Sequence, residues 1–336
     1  MGKPKIYVTR KLPSEKAMKL LFEYCDVDLN EEPRPPTREE LIEHVKDKDG
    51  LLCLLTDKID KEVLDAGSKL RVISTYSVGY DHIDVEEATK RGIYVTYTPG
   101  VLTDAVADHA WALLLAIARR VVEADNCVRQ GCWKIAWAPD FMLGTDVYGK
   151  TLGIIGLGRI GTAVARRAKG FNMRVLYYDK VKKVDKEKEL GVEYRPLDEV
   201  LKESDFVVIS VVLTKETYHM IGERELKLMK PSAYLINIAR GAIVDTDALV
   251  KALKEGWIAG AALDVFEEEP LPKDHPLTKL KNVILTPHIA AFTKEALRRM
   301  DMMVAEDVVR ACKGLKPHNI ANPEVLSKIK WIRGNE

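Results

Sequence analysis

The sequence predicts an α/β protein built from two doubly wound parallel-sheet domains with a cleft between them. Three observations carry this. Short β-branched or aromatic runs alternate with longer amphipathic ones, the pattern of parallel strands with helices on both faces. At 336 residues the chain is about twice the length of a typical domain, so two cores are expected. The strand signals also fall into two blocks, separated at Thr98-Pro99-Gly100.

The first block predicts strands over 5–9, 51–55, 72–75 and 93–97, with a helix over 37–45 between the first two. Thr37-Arg38-Glu39-Glu40 reads as a capping box opening that helix. The segment 104–119 is the most apolar helix pattern in the chain, and its aliphatic character nearly all round suits burial between domains or subunits. The second block predicts strands over 151–156, 174–178, 205–212, 233–238, 258–263 and 283–286, with a helix between the first two. A last helix over 294–314 lets the chain return to the first block. The expected domains are therefore 1–99 with 289–336, and 100–288.

Composition narrows the function classes. Hydrophobic residues make up 46% and charged residues 31%, ordinary for a folded globular chain. Lys plus Arg (52) nearly cancels Asp plus Glu (51), so nothing favours capture of nucleic-acid phosphates or an anionic membrane surface. The longest apolar run, 110–118, is too short to span a bilayer, and the N-terminus lacks the apolar core of an export signal, so a cytoplasmic protein is expected. Five cysteines, at 25, 53, 127, 132 and 312, show no framework spacing. Cys25 and Cys53 read as buried free thiols, Cys127 and Cys132 as structural, the compartment as reducing, and no metal site is expected. Gln130 is the only glutamine while Lys and Glu abound, a composition typical of thermophiles.

Gly156-Leu157-Gly158-Arg159-Ile160-Gly161 is a GxGxxG motif. Alone it is weak, but it follows an apolar strand, opens a helix, and is followed by a second strand ending at Asp179. Each part has a physical task. Gly156 makes the tight turn, Gly158 lets backbone N–H groups approach a pyrophosphate, Gly161 allows close helix packing, and the helix beginning near Ile160 offers its N-terminus to the phosphate charge. Asp179 is suited to accept both ribose hydroxyls and to repel a 2′-phosphate, which favours NAD over NADP. Lys180, Lys182 and Lys183 follow directly and soften that preference.

The later strands of the second block run into unusual polar groups: Asn237-Ile238-Ala239-Arg240-Gly241, Ala262-Leu263-Asp264 with Glu267-Glu268-Glu269-Pro270, and Thr286-Pro287-His288. Ligands of doubly wound sheets bind outside the carboxyl ends of the strands, so these groups are expected at one crevice. Histidine titrates near neutrality, a carboxylate partner orients its ring, and an arginine fork matches a planar carboxylate.

Together with the glycine motif, these groups resemble the D-2-hydroxyacid dehydrogenase family, closest to its glyoxylate/hydroxypyruvate reductases. The resemblance covers essentially the whole chain and includes Ser77-Val78-Gly79-Tyr80-Asp81-His82, Leu102-Thr103-Asp104-Ala105-Val106-Ala107-Asp108-His109 and Val147-Tyr148-Gly149-Lys150-Thr151. It implies a flavodoxin-like substrate domain and a Rossmann NAD-binding domain. It further implies NADH-dependent reduction of a small 2-oxo acid, with NADH preferred over NADPH. Arg240 would bind the substrate carboxylate, His288 would protonate the carbonyl oxygen, and Glu269 would hold His288. Val78 and Gly79 would meet the substrate carboxylate, while Thr103, Arg159, Ile238, Ala239 and Asp264 would line the cofactor, Asp264 at the nicotinamide carboxamide. The 133–137 segment resembles a dimer arm that carries Trp137 to a partner's site, so a homodimer is expected. Phosphoglycerate and lactate dehydrogenases share the same logic, and dinucleotide-sensing corepressors share the fold. Formate dehydrogenase is disfavoured by Glu269.

Overall fold

A computed structural model describes residues 2–329. The chain forms two compact units: one runs to Leu102 and resumes at Thr293, and the other is Thr103–Phe292. Met1 and 330–336, part of the expected first-domain ranges, lie outside the described residues.

The first unit holds β1 (Lys5–Val8), β2 (Asp26–Leu29), β3 (Gly50–Cys53), β4 (Val72–Thr75) and β5 (Tyr94–Thr96), all parallel in the order β2-β1-β3-β4-β5. That is the flavodoxin-like order. Side chains alternate across the sheet, as strand geometry requires. Ile6, Val8, Leu52, Val72 and Tyr94 pack in one core with residues of the helices Glu15–Tyr24 and Lys294–Cys312. Tyr7, Leu51, Cys53, Ile73 and Val95 pack in the opposite core, with residues of the helices Arg38–Val45, Lys61–Ala66 and Val85–Lys90. The capping box is present: Thr37 Oγ1 accepts from Glu40 N at 3.3 Å and Glu40 Oε2 from Thr37 N at 2.7 Å. Strand β2 carries no β-strand signal in the sequence. It is a four-residue edge strand, Asp-Val-Asp-Leu, whose Val27 and Leu29 are half-buried against the core, too short an apolar pattern to stand out.

The second unit holds β6 (Thr151–Ile155), β7 (Arg174–Tyr178), β8 (Glu193–Tyr194), β9 (Phe206–Ile209), β10 (Tyr234–Asn237), β11 (Gly260–Leu263) and β12 (Val283–Leu285), in the order β12-β11-β10-β9-β6-β7-β8. The six strands from β8 to β11 reproduce the Rossmann order, with the reversal between β6 and β9. The short edge strand β8 also lacked a sequence signal. The apolar helix Thr103–Ala118 packs within this unit on the helix Arg159–Ala168: Trp111 Nε1 donates to Val164 O at 3.1 Å and its ring stacks on Phe171. No helix among the described residues is long and apolar enough to cross a membrane.

Cys127 and Cys132 are joined as a disulfide at the end of the helix Val121–Arg129, with Cα atoms 5.1 Å apart. The sequence reads both as structural, and five-residue spacing without a second pair carries no framework signal that would pair them. Intracellular proteins of hyperthermophiles are an exception to the usual scarcity of disulfides in reducing compartments. Cys25, Cys53 and Cys312 are buried free thiols.

Candidate active site

The strand register lines up the candidate residues of the second unit. Tyr178 pairs with Ile155, Ile155 with Ile209, Ile209 with Asn237, Asn237 with Leu263 and Leu263 with Leu285. These six residues form one row across the carboxyl edge. Asp179, Gly156, Ile238 to Arg240, Asp264 and Thr286 to His288 therefore all follow that row.

The glycine loop has the form its sequence requires. Gly156 has φ +96°, and a β-carbon there would lie 2.8 Å from Val211 N. A β-carbon on Gly161 would run into Gly156 O and lie 2.9 Å from Ser210 Oγ, so the helix can approach β6 this closely only with glycine. Around Gly158 the same construction meets nothing within 4 Å, and no side chain caps the helix Arg159–Ala168. The result is an open cradle of backbone N–H groups at a helix N-terminus, which suits a dinucleotide pyrophosphate. Arg159 stands exposed at the rim, and Thr103 begins the neighbouring apolar helix. Asp179 Oδ2 accepts from Leu157 N at 2.9 Å and Oδ1 lies 3.8 Å from Lys183 Nζ, while Lys180 is exposed. The ribose-reading carboxylate is thus fastened to the phosphate loop.

His288 Nδ1 lies 2.7 Å from Glu269 Oε2, and Glu269 Oε1 accepts from Phe266 N at 2.9 Å. Both side chains are about a quarter exposed, at 25% and 27%. With Nδ1 engaged by a carboxylate, Nε2 is the nitrogen left to exchange a proton with a ligand. His288 has φ +53°, a conformation that costs energy for any residue with a β-carbon.

Asp264 maintains that conformation. His288 N donates to Asp264 O at 2.9 Å, and the Asp264 carboxylate accepts from Thr286 Oγ1 (2.6 Å), Ile289 N (3.0 Å) and Ala290 N (2.8 Å), with His109 Nε2 at 3.3 Å. Burial alone would push this carboxyl up, but the bonds from His109, Thr286 and the two amides outweigh it and hold the pKa below the ordinary value. Asp264 is fully buried, with both oxygens engaged. These bonds let it hold the His288 loop from behind. The same bonds tie Ile289 and Ala290 to the second unit, which runs to Phe292.

Arg240 follows β10, with Nη1 donating to Ala239 O at 2.9 Å. Asn237 braces the turn: its Nδ2 donates to Arg240 O (2.9 Å) and its Oδ1 accepts from Ala239 N (3.1 Å). A β-carbon on Gly241 would overlap the Phe266–Glu267 peptide, so the segment after Arg240 lies directly against the loop leading to Glu269. Sequence reasoning had passed over His219, which hydrogen-bonds Glu267 beside this contact (2.9 Å). Its only signal was a histidine in a loop.

Val78 and Gly79 belong to the first unit, in the turn after β4. Ser77 Oγ donates to Gly79 O at 2.5 Å, and Thr75 Oγ1 contacts both Ser77 Oγ (2.9 Å) and His82 Nε2 (3.0 Å). His82 therefore supports the turn. Trp137 is 79% exposed, in a stretch with Trp133, Ile135, Phe141 and Leu143 also exposed.

Comparison with known proteins agrees with this geometry. Residues 111–290 match the model of the D-isomer specific 2-hydroxyacid dehydrogenase NAD binding domain. The chain is 59% identical over 324 residues to a glyoxylate reductase of Korarchaeum cryptofilum, covering 96% of this chain and 97% of that one. It is 58% identical over 337 residues to a glyoxylate reductase of Pyrococcus furiosus, covering 99% of each. The thermophile-like composition fits such relatives. An NADPH-dependent glyoxylate/hydroxypyruvate reductase of Sinorhizobium meliloti, solved with NADP and malonate, superposes with a TM-score of 0.85 at 31% identity over the full length of both chains. Sheet order, glycine cradle and relatives converge, and this chain belongs to the D-isomer specific 2-hydroxyacid dehydrogenase family of NAD(P)-dependent oxidoreductases.

Proposed function

We propose that this enzyme reduces glyoxylate and hydroxypyruvate to glycolate and D-glycerate, with His288 as proton donor and NADH preferred over NADPH. The observation that carries the reading is the Glu269–His288 hydrogen bond at the carboxyl edge of the Rossmann sheet, next to the strand that leads to Arg240. The relatives named glyoxylate reductase supply the substrate class.

The open Gly158 cradle and uncapped helix N-terminus fit a dinucleotide, with Gly156, Gly158, Arg159, Ile160 and Gly161 at the pyrophosphate, Asp179 and Lys180 at the ribose, and Thr103, Ile238 and Ala239 lining the rest. When bound, the nicotinamide supplies the hydride. The protein's own residues do the remainder. Arg240 grips the substrate carboxylate with its planar fork and polarises the adjacent carbonyl. Val78 and Gly79 offer backbone N–H groups to the same carboxylate. The His288 imidazolium donates its Nε2 proton to the carbonyl oxygen as negative charge develops there, and Glu269 orients the ring and stabilises its charged form.

NADH preference rests on Asp179, whose charge opposes a 2′-phosphate, against the softening effect of Lys180 and Lys183. The exposed apolar residues from Trp133 to Leu143 form the contact surface of a homodimer, with Trp137 entering the partner's site. The compartment is cytoplasmic. Formation of glycolate from glyoxylate in equal amount to NADH consumed tests the reading, and NADH binding without product would overturn it.

A further inference from the structure

The consecutive carboxylates Glu267, Glu268 and Glu269 divide their tasks. Glu269 turns to His288 and Glu268 is exposed. Glu267 turns the other way: Oε2 lies 2.9 Å from His219 Nε2, and Oε1 accepts at 2.9 Å from Thr246 N, the first residue of the helix Thr246–Glu255. His219 is fastened in turn to the segment that follows Arg240. Its N donates to Ala242 O at 2.8 Å, Ile221 N donates to Ile243 O at 3.1 Å, and Asp245 N donates to Ile221 O at 3.0 Å. The imidazole stacks on Tyr218 with ring centres 4.1 Å apart, and Nδ1 lies 4.0 Å from Asp245 Oδ2. A cavity of about 280 Å³ opens beside these groups, and Asp247, Glu268 and His275 also face it.

His219 thus bridges the two chain segments that carry Arg240 and Glu269. It does so from φ +50°, a left-handed conformation that a β-carbon residue keeps only where its surroundings hold it. Beside this bridge, the 266–269 loop is held by the bond from Phe266 N to Glu269, the bond from Thr246 N to Glu267 and the Glu269–His288 bond.

We propose that His219 is a positioning residue for the reaction: through Glu267 it locks the 266–269 loop to the Arg240 segment and so fixes the Glu269 carboxylate on His288 Nδ1. This rests on the reading of His288 as proton donor. A carboxylate held on Nδ1 orients the ring and leaves Nε2 to face the reacting oxygen. Groups that orient a reacting side chain from behind typically change activity by about tenfold or more when removed.

The test compares the full-length wild type with His219→Asn and Glu267→Gln. Asparagine tolerates the left-handed backbone, so the first variant removes the imidazole bridge with little backbone penalty. The second keeps the side-chain shape and removes the charge. Two readouts are taken: the His288 titration by NMR in histidine-labelled protein, assigned through His288→Gln, and kcat against pH with glyoxylate and NADH. The expected result is that the His288 titration moves to lower pH in both variants. The high-pH limb of kcat should move with it, kcat near neutrality should fall about tenfold in His219→Asn, and the KM for NADH should stay unchanged. The double variant should be no worse than the stronger single one, because both act through one bridge. A His288 titration unchanged in folded variants would overturn the proposal. Failure of the wild type to turn over any 2-oxo acid would instead sink the proton-donor reading, and the NMR titration would still decide the positioning.

Discussion

Asp264 holds His288 directly and through its neighbours: the His288 amide donates to the Asp264 carbonyl at 2.9 Å, and the Asp264 carboxylate accepts from the amides of Ile289 and Ala290, which follow His288 in sequence. One buried carboxylate therefore imposes the left-handed backbone that turns the His288 ring toward Glu269. The strain at His288 is held by a clamp that no ligand has to supply.

Asp264→Asn should weaken this clamp, because the amide keeps one accepting oxygen and sets an N–H donor against a backbone N–H at the other position. A loss of about 2 kcal/mol in unfolding free energy is expected, the scale of hydrogen bonds to a buried charge. The Asp264 pKa is lower in the folded protein than in the unfolded chain, so its stabilisation is present above the ordinary carboxylate range and is lost as pH falls through the folded value. Melting curves should show a constant gap between wild type and variant near neutrality that closes in acid. A gap that persists unchanged in acid would contradict the assignment.

His288→Gln removes the proton donor while leaving the glycine cradle untouched. The expected outcome is a fall in kcat of about 10²-fold or more with the dissociation constant for NADH nearly unchanged. Fluorescence titration of NADH together with steady-state rates checks both halves, and a large loss of NADH affinity would remove His288 from the donor role.

Asp179→Ala should narrow the discrimination between the two cofactors. Loss of charge-assisted bonds to the ribose hydroxyls, together with relief of repulsion toward a 2′-phosphate, should reduce the NADH over NADPH ratio of kcat/KM by about tenfold. Asp179 also accepts from Leu157 N, so some loss of NADH affinity should accompany the change. An unaltered ratio would mean that another group reads the ribose.

Gly241→Ala places a methyl group on the Phe266–Glu267 peptide, which is backbone and cannot swing aside. The Arg240 and Glu269 segments must then separate. We expect a stability cost of about 1–3 kcal/mol and a fall in kcat larger than any change in NADH binding. Thermal unfolding and rates measured on the same preparation check this, and wild-type kcat in a stable variant would show that the contact does not position the site.

The second unit was the more legible part of the chain. Its longer strands run as buried apolar stretches because helices cover both faces of the sheet, and β6, β7, β10, β11 and β12 run into a glycine or a polar group. Arg240, Glu269 and His288 could be singled out for that reason. Strand β2 was not legible because an exposed edge constrains composition weakly, and β8 is only two residues long. The part of Asp264 in holding the His288 loop was not legible, because the sequence does not carry the backbone path of 286–290 that encloses it. His219 was missed for a related reason. Its partner Glu267 is one of three adjacent glutamates, and only the loop's conformation decides which of them faces His288.

The most direct test of the central claim is NADH oxidation by the purified protein with glyoxylate, hydroxypyruvate, pyruvate and a bulky 2-oxo acid under one set of conditions. The account predicts fast turnover with glyoxylate and hydroxypyruvate, much slower turnover with the other two, and its near loss in His288→Gln. NADH binding without turnover of any of the four would contradict it.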